Sequence, residues 1–132
     1  MKKITLLLIL SLTSITSIFS QDRDGTIFYS YVERTEESYN VQVDIYEMHG
    51  TEYIEVELFN EDEVKLASNL VTLRFKNNKY YLIKNEEETE VNTQDINLSV
   101  ENPDNSIKYP MIKVKLLDKN YQVVDFSQKV FY

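Results

Sequence analysis

Apolar and polar residues alternate along most of the chain after residue 25, and no stretch there repeats its apolar residues with the period of a helix. Successive side chains of a β-strand point to opposite faces, so such alternation is typical of strands that bury one face. Tyr, Val, Ile, Phe and Thr, which favour strands, are also abundant. About eight such segments, separated by short turn signals, predict an all-β fold, an antiparallel β-sandwich of about eight strands.

The clearest alternation lies on both sides of His49-Gly50, in residues 40–48 and 51–59. A two-residue turn at His49-Gly50 would make these segments a hairpin with one wholly apolar face. That apolar face would pair Ile45 with Ile54, Val43 with Val56, and Val41 with Leu58. The polar face would pair Tyr46 with Tyr53, Asp44 with Glu55, and Gln42 with Glu57. Two further hairpins are predicted, one turning at Asn77-Asn78 and one at Asp118-Lys119-Asn120, because Asn tolerates the backbone of tight turns.

The first twenty residues have the order of a secretory signal peptide. Lys2 and Lys3 precede a short apolar run from Ile4 to Leu10, and a Ser- and Thr-rich stretch follows it. The apolar run is shorter than the about 20 residues that a membrane-spanning helix needs. We therefore expect residues 1–20 to be a signal peptide and residues 21–132 to be a single all-β domain that is secreted or periplasmic.

The expected mature chain is acidic. Without Lys2 and Lys3 it has 12 basic and 22 acidic residues, a net charge of −10. Nucleic acid and anionic membrane surfaces are poor partners for such a chain. The acids are concentrated in residues 22–63, which hold 13 of them against two arginines. Either this serves solubility, or it forms a patch for a basic partner or a cation.

Residues 95–124 resemble part of an immunoglobulin-like domain. The residues that carry the resemblance are the run Asn97-Leu98-Ser99-Val100-Glu101-Asn102, the turn Asp104-Asn105-Ser106, and the strand Val114-Lys115-Leu116-Leu117-Asp118. They are similar to bacterial envelope domains named for an FxLYD motif, in which Leu116 and Asp118 match and Val114 and Leu117 replace Phe and Tyr. Tyr121 stands where a Gly usually follows the turn. The resemblance implies an immunoglobulin-like sandwich of accessory or binding character and assigns no functional residue.

The candidate binding residues lie on the polar face of the first hairpin. They are Tyr46, Tyr53, Asp44, Glu55 and Glu57. Like charges directly opposite each other destabilise a sheet, so the acids there suggest a cation, a basic partner or simple solvation. Tyr is enriched in interfaces, although ten tyrosines can equally serve cross-strand packing. This pattern favours a non-enzymatic module that presents a Tyr- and acid-rich face or an edge strand to a protein or glycan.

Two other function classes stay open at this point. Paired carboxylates perform glycoside hydrolysis, so Asp44 and Glu55 could belong to a hydrolase. An enzyme inhibitor would need a protruding, ordered loop, for which residues 86–93 and 102–106 are candidates. The single histidine, His49, has no evident nucleophile to serve and is expected in a turn. We expect no cofactor, although Asp22-Arg23-Asp24-Gly25 and the acidic runs 61–63 and 86–88 leave calcium possible.

Overall fold

The computed structural model describes residues 26–48 and 50–131, and these residues form two antiparallel sheets and no helix. The nine strands of this part of the chain are β1 Ile27–Arg34, β2 Ser38–Ile45, β3 Tyr53–Phe59, β4 Lys65–Lys76, β5 Lys79–Lys84, β6 Glu87–Val91, β7 Ile96–Glu101, β8 Met111–Leu117 and β9 Val123–Val130. Over the same residues no helix is long and apolar enough to cross a membrane. The predicted signal peptide, residues 1–20, and His49 lie outside the described residues.

The two sheets differ in width and share one core. The smaller sheet has the order β1-β2-β7, and the larger has the order β6-β5-β4-β3-β8-β9. The buried apolar side chains come from alternate positions of both sheets, including Val41, Val43 and Ile45 of β2, Ile54, Val56 and Leu58 of β3, and Ile112, Val114 and Leu116 of β8. The all-β fold predicted from the alternation is therefore confirmed, with one more strand than expected.

The predicted hairpin between residues 40–48 and 51–59 is wrong, because β2 and β3 belong to different sheets. β2 pairs with β1 and β7, whereas β3 pairs with β4 and β8. The six apolar residues assigned to one hairpin face are all buried, but they reach the core from two opposing sheets. Alternation defines which face of each strand is buried, and it is the same whether two strands pair side by side or face each other across a core.

The connection from β2 to β3 carries the chain across the sandwich. Its first residue, Tyr46, donates its N–H to the Thr26 carbonyl beside β1 at 2.8 Å. Its last residue, Glu52, donates to the Leu117 carbonyl at the end of β8, also at 2.8 Å. The backbone hydrogen bonds thus pass from the smaller sheet to the larger within seven residues, 46–52.

The other two predicted hairpins are confirmed. β4 and β5 turn at Asn77-Asn78, where both residues have positive φ, 54° and 63°. This is the left-handed backbone that a two-residue hairpin turn requires and that Asn tolerates better than most residues. β8 and β9 pair across residues 118–122, and Tyr121 has a φ of 62° in that turn.

Strand β6 was expected to be an acidic loop. Its residues are nearly all exposed, so no apolar alternation marks it. It forms a strand because it pairs with β5 and because Glu88 accepts hydrogen bonds from Arg74 at 2.7 Å and Lys76 at 2.6 Å. Charged residues at a sheet edge also oppose pairing with other chains.

Tyr39 on β2 provides a first test of the packing. Its side chain is buried, Arg34 lies 5.4 Å from its ring centroid, and its hydroxyl has no hydrogen-bond partner among the described residues. An unsatisfied buried hydroxyl costs about 1–3 kcal/mol. Tyr39→Phe is therefore expected to leave the free energy of unfolding unchanged or to raise it by about 1 kcal/mol, as measured by urea unfolding. A clear loss of stability would contradict the absence of a partner.

Candidate functional site

The five candidate residues from the sequence do not share one surface. Asp44 and Tyr46 lie on the outer side of the smaller sheet, because their neighbours Val43 and Ile45 point into the core. Tyr53, Glu55 and Glu57 point outward from the larger sheet, because Ile54 and Val56 are buried, and they lie on the opposite side of the sandwich. The predicted pairing of Asp44 with Glu55 is therefore wrong, for the same reason as the hairpin. The two carboxylates are separated by the core and cannot act as a hydrolytic pair.

On the smaller sheet, Tyr46 is 66% exposed and its ring packs against that of Phe28. Its ring centroid is 5.1 Å from that of Phe28, and the two ring planes are tilted by 43°. Asp44 is opposite Phe28 in the register of β1 and β2. This side thus presents one small aromatic pair beside a half-buried carboxylate.

On the larger sheet, Glu55 and Glu57 belong to an ion-pair network. Lys115 on β8 lies 3.2 Å from Glu55 and 3.2 Å from Glu57, and Lys65 lies 3.1 Å from Glu57. The Glu57 side chain is only 4% exposed although it points away from the core. Hydrogen bonds to the two carboxylates outweigh the burial of Lys115 and raise the pKa of its ammonium. These acids are neutralised within the chain, so they do not form the free acidic face that the sequence suggested.

Tyr53 takes part in a stacked aromatic contact on the larger sheet. Its ring stacks on that of Tyr121, with centroids 4.5 Å apart and planes 16° apart. Tyr121 is held at a φ of 62°, where a bulky residue is a genuine outlier and Gly is preferred. Strained residues of this kind cluster at functional sites. Of the six non-glycine residues with positive φ in the described part of the chain, Tyr121 is the only aromatic one, and it stacks on another ring.

Strand β9 extends the exposed apolar surface away from this pair. Tyr121, Val123, Val124 and Phe126 are each between 47% and 57% exposed. Phe126 is opposite Lys115 and lies under Lys113, whose ammonium is 4.7 Å from the ring centroid. We call Tyr53, Tyr121 and Phe126 the aromatic face. Exposed aromatic residues among charged neighbours are typical of protein interaction sites.

Most of the aromatic face could not be found from the sequence. Tyr53 was a candidate, but its stacking partner is far away in the chain and meets it only because β3 and β8 are neighbours. Phe126 alternates with polar residues like any half-buried strand residue, and only its place on an edge strand leaves it exposed. The one local signal was Tyr121 at a turn position where Gly is usual.

The acidic runs do not gather into a metal site. No group of three or more His, Cys, Asp or Glu side chains that could hold a metal ion is found among the described residues. In the run 61–63, the Glu61 carboxylate accepts hydrogen bonds from the backbone N–H groups of Lys108 and Tyr109. Hydrogen bonds from the backbone N–H groups of Glu61 itself, Lys108 and Tyr109 lower the pKa of the Glu61 carboxyl. The Asp22-Arg23-Asp24-Gly25 motif lies outside the described residues.

The two loops considered for an inhibitor are not free. Residues 86–93 contain β6, as described above. Residues 102–106 are anchored to the turn between β1 and β2, where the Asn102 side chain donates to the Thr35 carbonyl at 2.8 Å. Arg34 donates to the carbonyls of Ile107 at 2.6 Å and Asn105 at 2.8 Å. This loop is ordered, but its polar groups are used to hold it against the sandwich.

The comparisons with known proteins do not identify the chain. No family model matches it, and neither a curated protein nor a solved structure does.

Proposed function

We propose that this chain is an exported, non-enzymatic binding protein of the bacterial envelope or secretome that recognises a protein partner through the aromatic face. The observation that carries the proposal is the stack of Tyr53 on a strained Tyr121 beside exposed residues of β9. Stacked, pre-positioned rings lose little conformational entropy when a partner covers them, which favours binding. The signal-peptide pattern of residues 1–20 supports export.

An immunoglobulin-like topology forms part of this proposal. The order β1-β2-β7 corresponds to strands A-B-E of variable-type immunoglobulin domains. The order β9-β8-β3-β4-β5 corresponds to their G-F-C-C′-C″ sheet. In this correspondence β6 has the chain position of strand D, but it pairs with β5 at the outer edge of the larger sheet, whereas strand D of immunoglobulin domains lies beside strand E. The wrongly predicted hairpin is the B-to-C crossing between sheets. The likeness supports an accessory or binding role only by analogy of fold.

The proposal can be tested with Tyr121→Gly. Gly fits the positive φ of residue 121 without strain, so the variant is expected to fold at least as well as the wild type. Removing a hot-spot aromatic residue from an interface costs about 2 kcal/mol or more, so affinity for the partner should fall about thirtyfold or more. The measurement is capture of partners from envelope extract by the immobilised full-length chain, followed by titration of the captured protein.

Tyr46→Ala is the matched control. It removes a tyrosine that is even more exposed than Tyr121, 66% against 57%, from the opposite side of the sandwich, and should leave capture unchanged. Tyr53→Ala should behave like Tyr121→Gly, because each ring supports the other. A partner that is retained by both aromatic-face variants, or that is lost with Tyr46→Ala instead, would contradict the proposal. A captured glycan rather than protein would also contradict it.

A further inference from the structure

The four strand edges of the sandwich are not equally open. β6 is a short edge that carries Glu87, Glu88 and Glu90. β1 is interrupted by a register shift between Tyr29 and Tyr31. On β7, the Ser99 carbonyl accepts a hydrogen bond from the Asn69 side chain at 2.8 Å. Charges, bulges and covering groups of this kind protect edges against pairing with other chains.

Strand β9 is the open edge. It is eight residues long, its residues between the bulge at its start and Val130 pair regularly with β8, and it carries only two charges, Asp125 and Lys129. The Phe131 N–H donates to the Pro110 carbonyl on the side of β8, so by strand alternation the Phe126 N–H points away from β8, and the neighbouring Asp125 carboxylate accepts it at 2.8 Å. This backbone group therefore points to the free edge. A long, apolar and little-charged edge is the kind that adds a further strand.

The two charges of β9 make this edge complementary to itself. Antiparallel pairing of two β9 strands about a two-fold axis at Ser127 places Asp125 of each copy opposite Lys129 of the other. Opposite charges directly across a strand pair stabilise it. A shift of two residues in either direction places Asp125 opposite Ser127 or Phe131 and loses both ion pairs. The charges thus select one register out of the possible ones.

Both charges are available for such pairing. Among the described residues Lys129 has no carboxylate within ion-pair distance, and its ammonium lies 5.8 Å from the Phe131 ring centroid. The Asp125 carboxylate accepts hydrogen bonds from the Thr26 hydroxyl at 2.5 Å and from the Phe126 N–H. Neither donor is charged, so the negative charge of Asp125 is not neutralised. When a second strand supplies a carbonyl to the Phe126 N–H, one carboxylate oxygen of Asp125 becomes free to face Lys129 of the second copy.

The apolar side chains of β9 fit the same register. On the outer face, Phe126 of one copy lies opposite Gln128 of the other, and the next outward positions bring Val124 opposite Val130. Val124, Phe126 and Val130 are all exposed in the single chain. Pairing would remove part of this apolar surface from water, which favours association.

We propose that two copies of this chain associate through β9, antiparallel about Ser127, so that their larger sheets form one continuous sheet. This symmetry is isologous, the commonest arrangement of homodimers. The two aromatic faces would then lie on the same surface, so that a partner with two sites would bind through both. The dimer does not depend on the aromatic face having a partner.

The test uses two complementary charge reversals in the full-length chain, read by sedimentation equilibrium. Wild-type protein is expected to dimerise reversibly at micromolar to millimolar concentration. Lys129→Glu places two acids opposite each other at each end of the pairing, and Asp125→Lys places two bases there. Each variant alone is expected to raise the dimer dissociation constant at least about tenfold, because like charges face each other across the interface. An equimolar mixture of the two should recover dimers, since each variant strand then faces opposite charges.

Lys119→Glu is the control, because it makes the same charge change in the turn between β8 and β9, outside the pairing. It should leave the dissociation constant unchanged, and Tyr121→Gly should do so too. A wild-type protein that is monomeric up to millimolar concentration would overturn the proposal. A mixture that fails to recover dimers would overturn it as well. So would a dimer whose dissociation constant is unchanged by both charge reversals. Recovery in the mixture also shows that both variants fold.

Discussion

Lys115→Met is expected to lower the free energy of unfolding by about 3 kcal/mol, the cost of removing the more buried of the two ammonium groups that face the buried Glu57 carboxylate. Lys115 lies 3.2 Å from both Glu55 and Glu57, and its side chain is 20% exposed. After the substitution Glu57 keeps only Lys65, a side chain that is 51% exposed and long enough to be mobile. Urea unfolding at neutral pH measures the loss as a shift of the midpoint at constant slope.

The matched control is Lys79→Met, which removes an exposed ion pair with the same chemical change. Lys79 and Glu90 are 3.7 Å apart and both 56% exposed. Surface pairs of this kind contribute about 1 kcal/mol or less, so the control should be nearly neutral. Replacing both members of the buried pair, in Glu57→Leu with Lys115→Met, should recover part of the loss because the most buried charge, the Glu57 carboxylate, is then gone, while Glu55 and Lys65, which lose their partners, are 20% and 51% exposed. Equal effects of Lys115→Met and Lys79→Met would contradict the buried network.

The burial of the core strands could be predicted from the sequence, but the pairing of the strands could not. Val41, Val43 and Ile45, like Ile54, Val56 and Leu58, were expected on an apolar face, and all six are buried. Their period of two is a local property of each strand. Whether β2 continues into β3 within one sheet or crosses to the other depends on contacts with β7 and β8, which lie far along the chain.

Turns were predictable where a local residue preference decides them. Asn77-Asn78 adopts the positive φ values that its composition favours. His49-Gly50 offered a similar signal, but the strands on either side of it are held in different sheets, and this long-range pairing outweighs the local preference. A turn signal therefore indicates where the chain reverses or changes direction, and not which strands pair.

For the candidate site too, features that depend on one strand were predictable and features that depend on strand pairing were not. Tyr53, Glu55 and Glu57 were predicted to share one outward face, and they do, because this follows from the alternation within β3. The role of the two acids was not predictable, since Lys115 reaches them only through the pairing of β3 with β8. The importance of Phe126 depends on β9 being an edge strand, which is a property of the complete sheet.

The environment of the Tyr29 hydroxyl allows us to predict how the free energy of unfolding responds to alkaline pH. Its hydroxyl lies against two backbone carbonyls, donating to Ser127 at 2.8 Å and approaching Ile112 at 3.2 Å, and its ring packs edge-on against Phe131. Burial raises the pKa of Tyr29 well above the ordinary value of 10.0, and the hydrogen bond with Ser127 only partly offsets this. A phenolate there would lose its donated hydrogen bond and face two carbonyl oxygens. The folded state therefore keeps the Tyr29 proton at a pH where the unfolded chain releases it.

The sign of the effect follows from proton binding in the two states. Below about pH 10 the phenol is protonated in both states, and the contribution of Tyr29 to stability is complete. Above about pH 10 the unfolded state binds fewer protons than the folded state, so stability falls with rising pH. The slope from this one group is about 1.4 kcal/mol per pH unit until the raised folded-state pKa is reached. Urea midpoints between pH 7 and the alkaline range measure it.

Tyr29→Phe should separate the two contributions of this hydroxyl. At neutral pH the variant is expected to lose about 1 kcal/mol, because the Ser127 carbonyl loses the hydrogen bond that the Tyr29 hydroxyl donates. In the alkaline range its stability should fall less steeply than that of the wild type, because its unfolded state no longer gains by releasing a proton from residue 29. Tyr39→Phe makes the same chemical change at a buried hydroxyl that has no hydrogen-bond partner among the described residues, so it should show no loss at neutral pH. Identical pH profiles for Tyr29→Phe and the wild type would contradict this account, since a phenol whose proton is held by burial cannot titrate alike in the folded and unfolded chains.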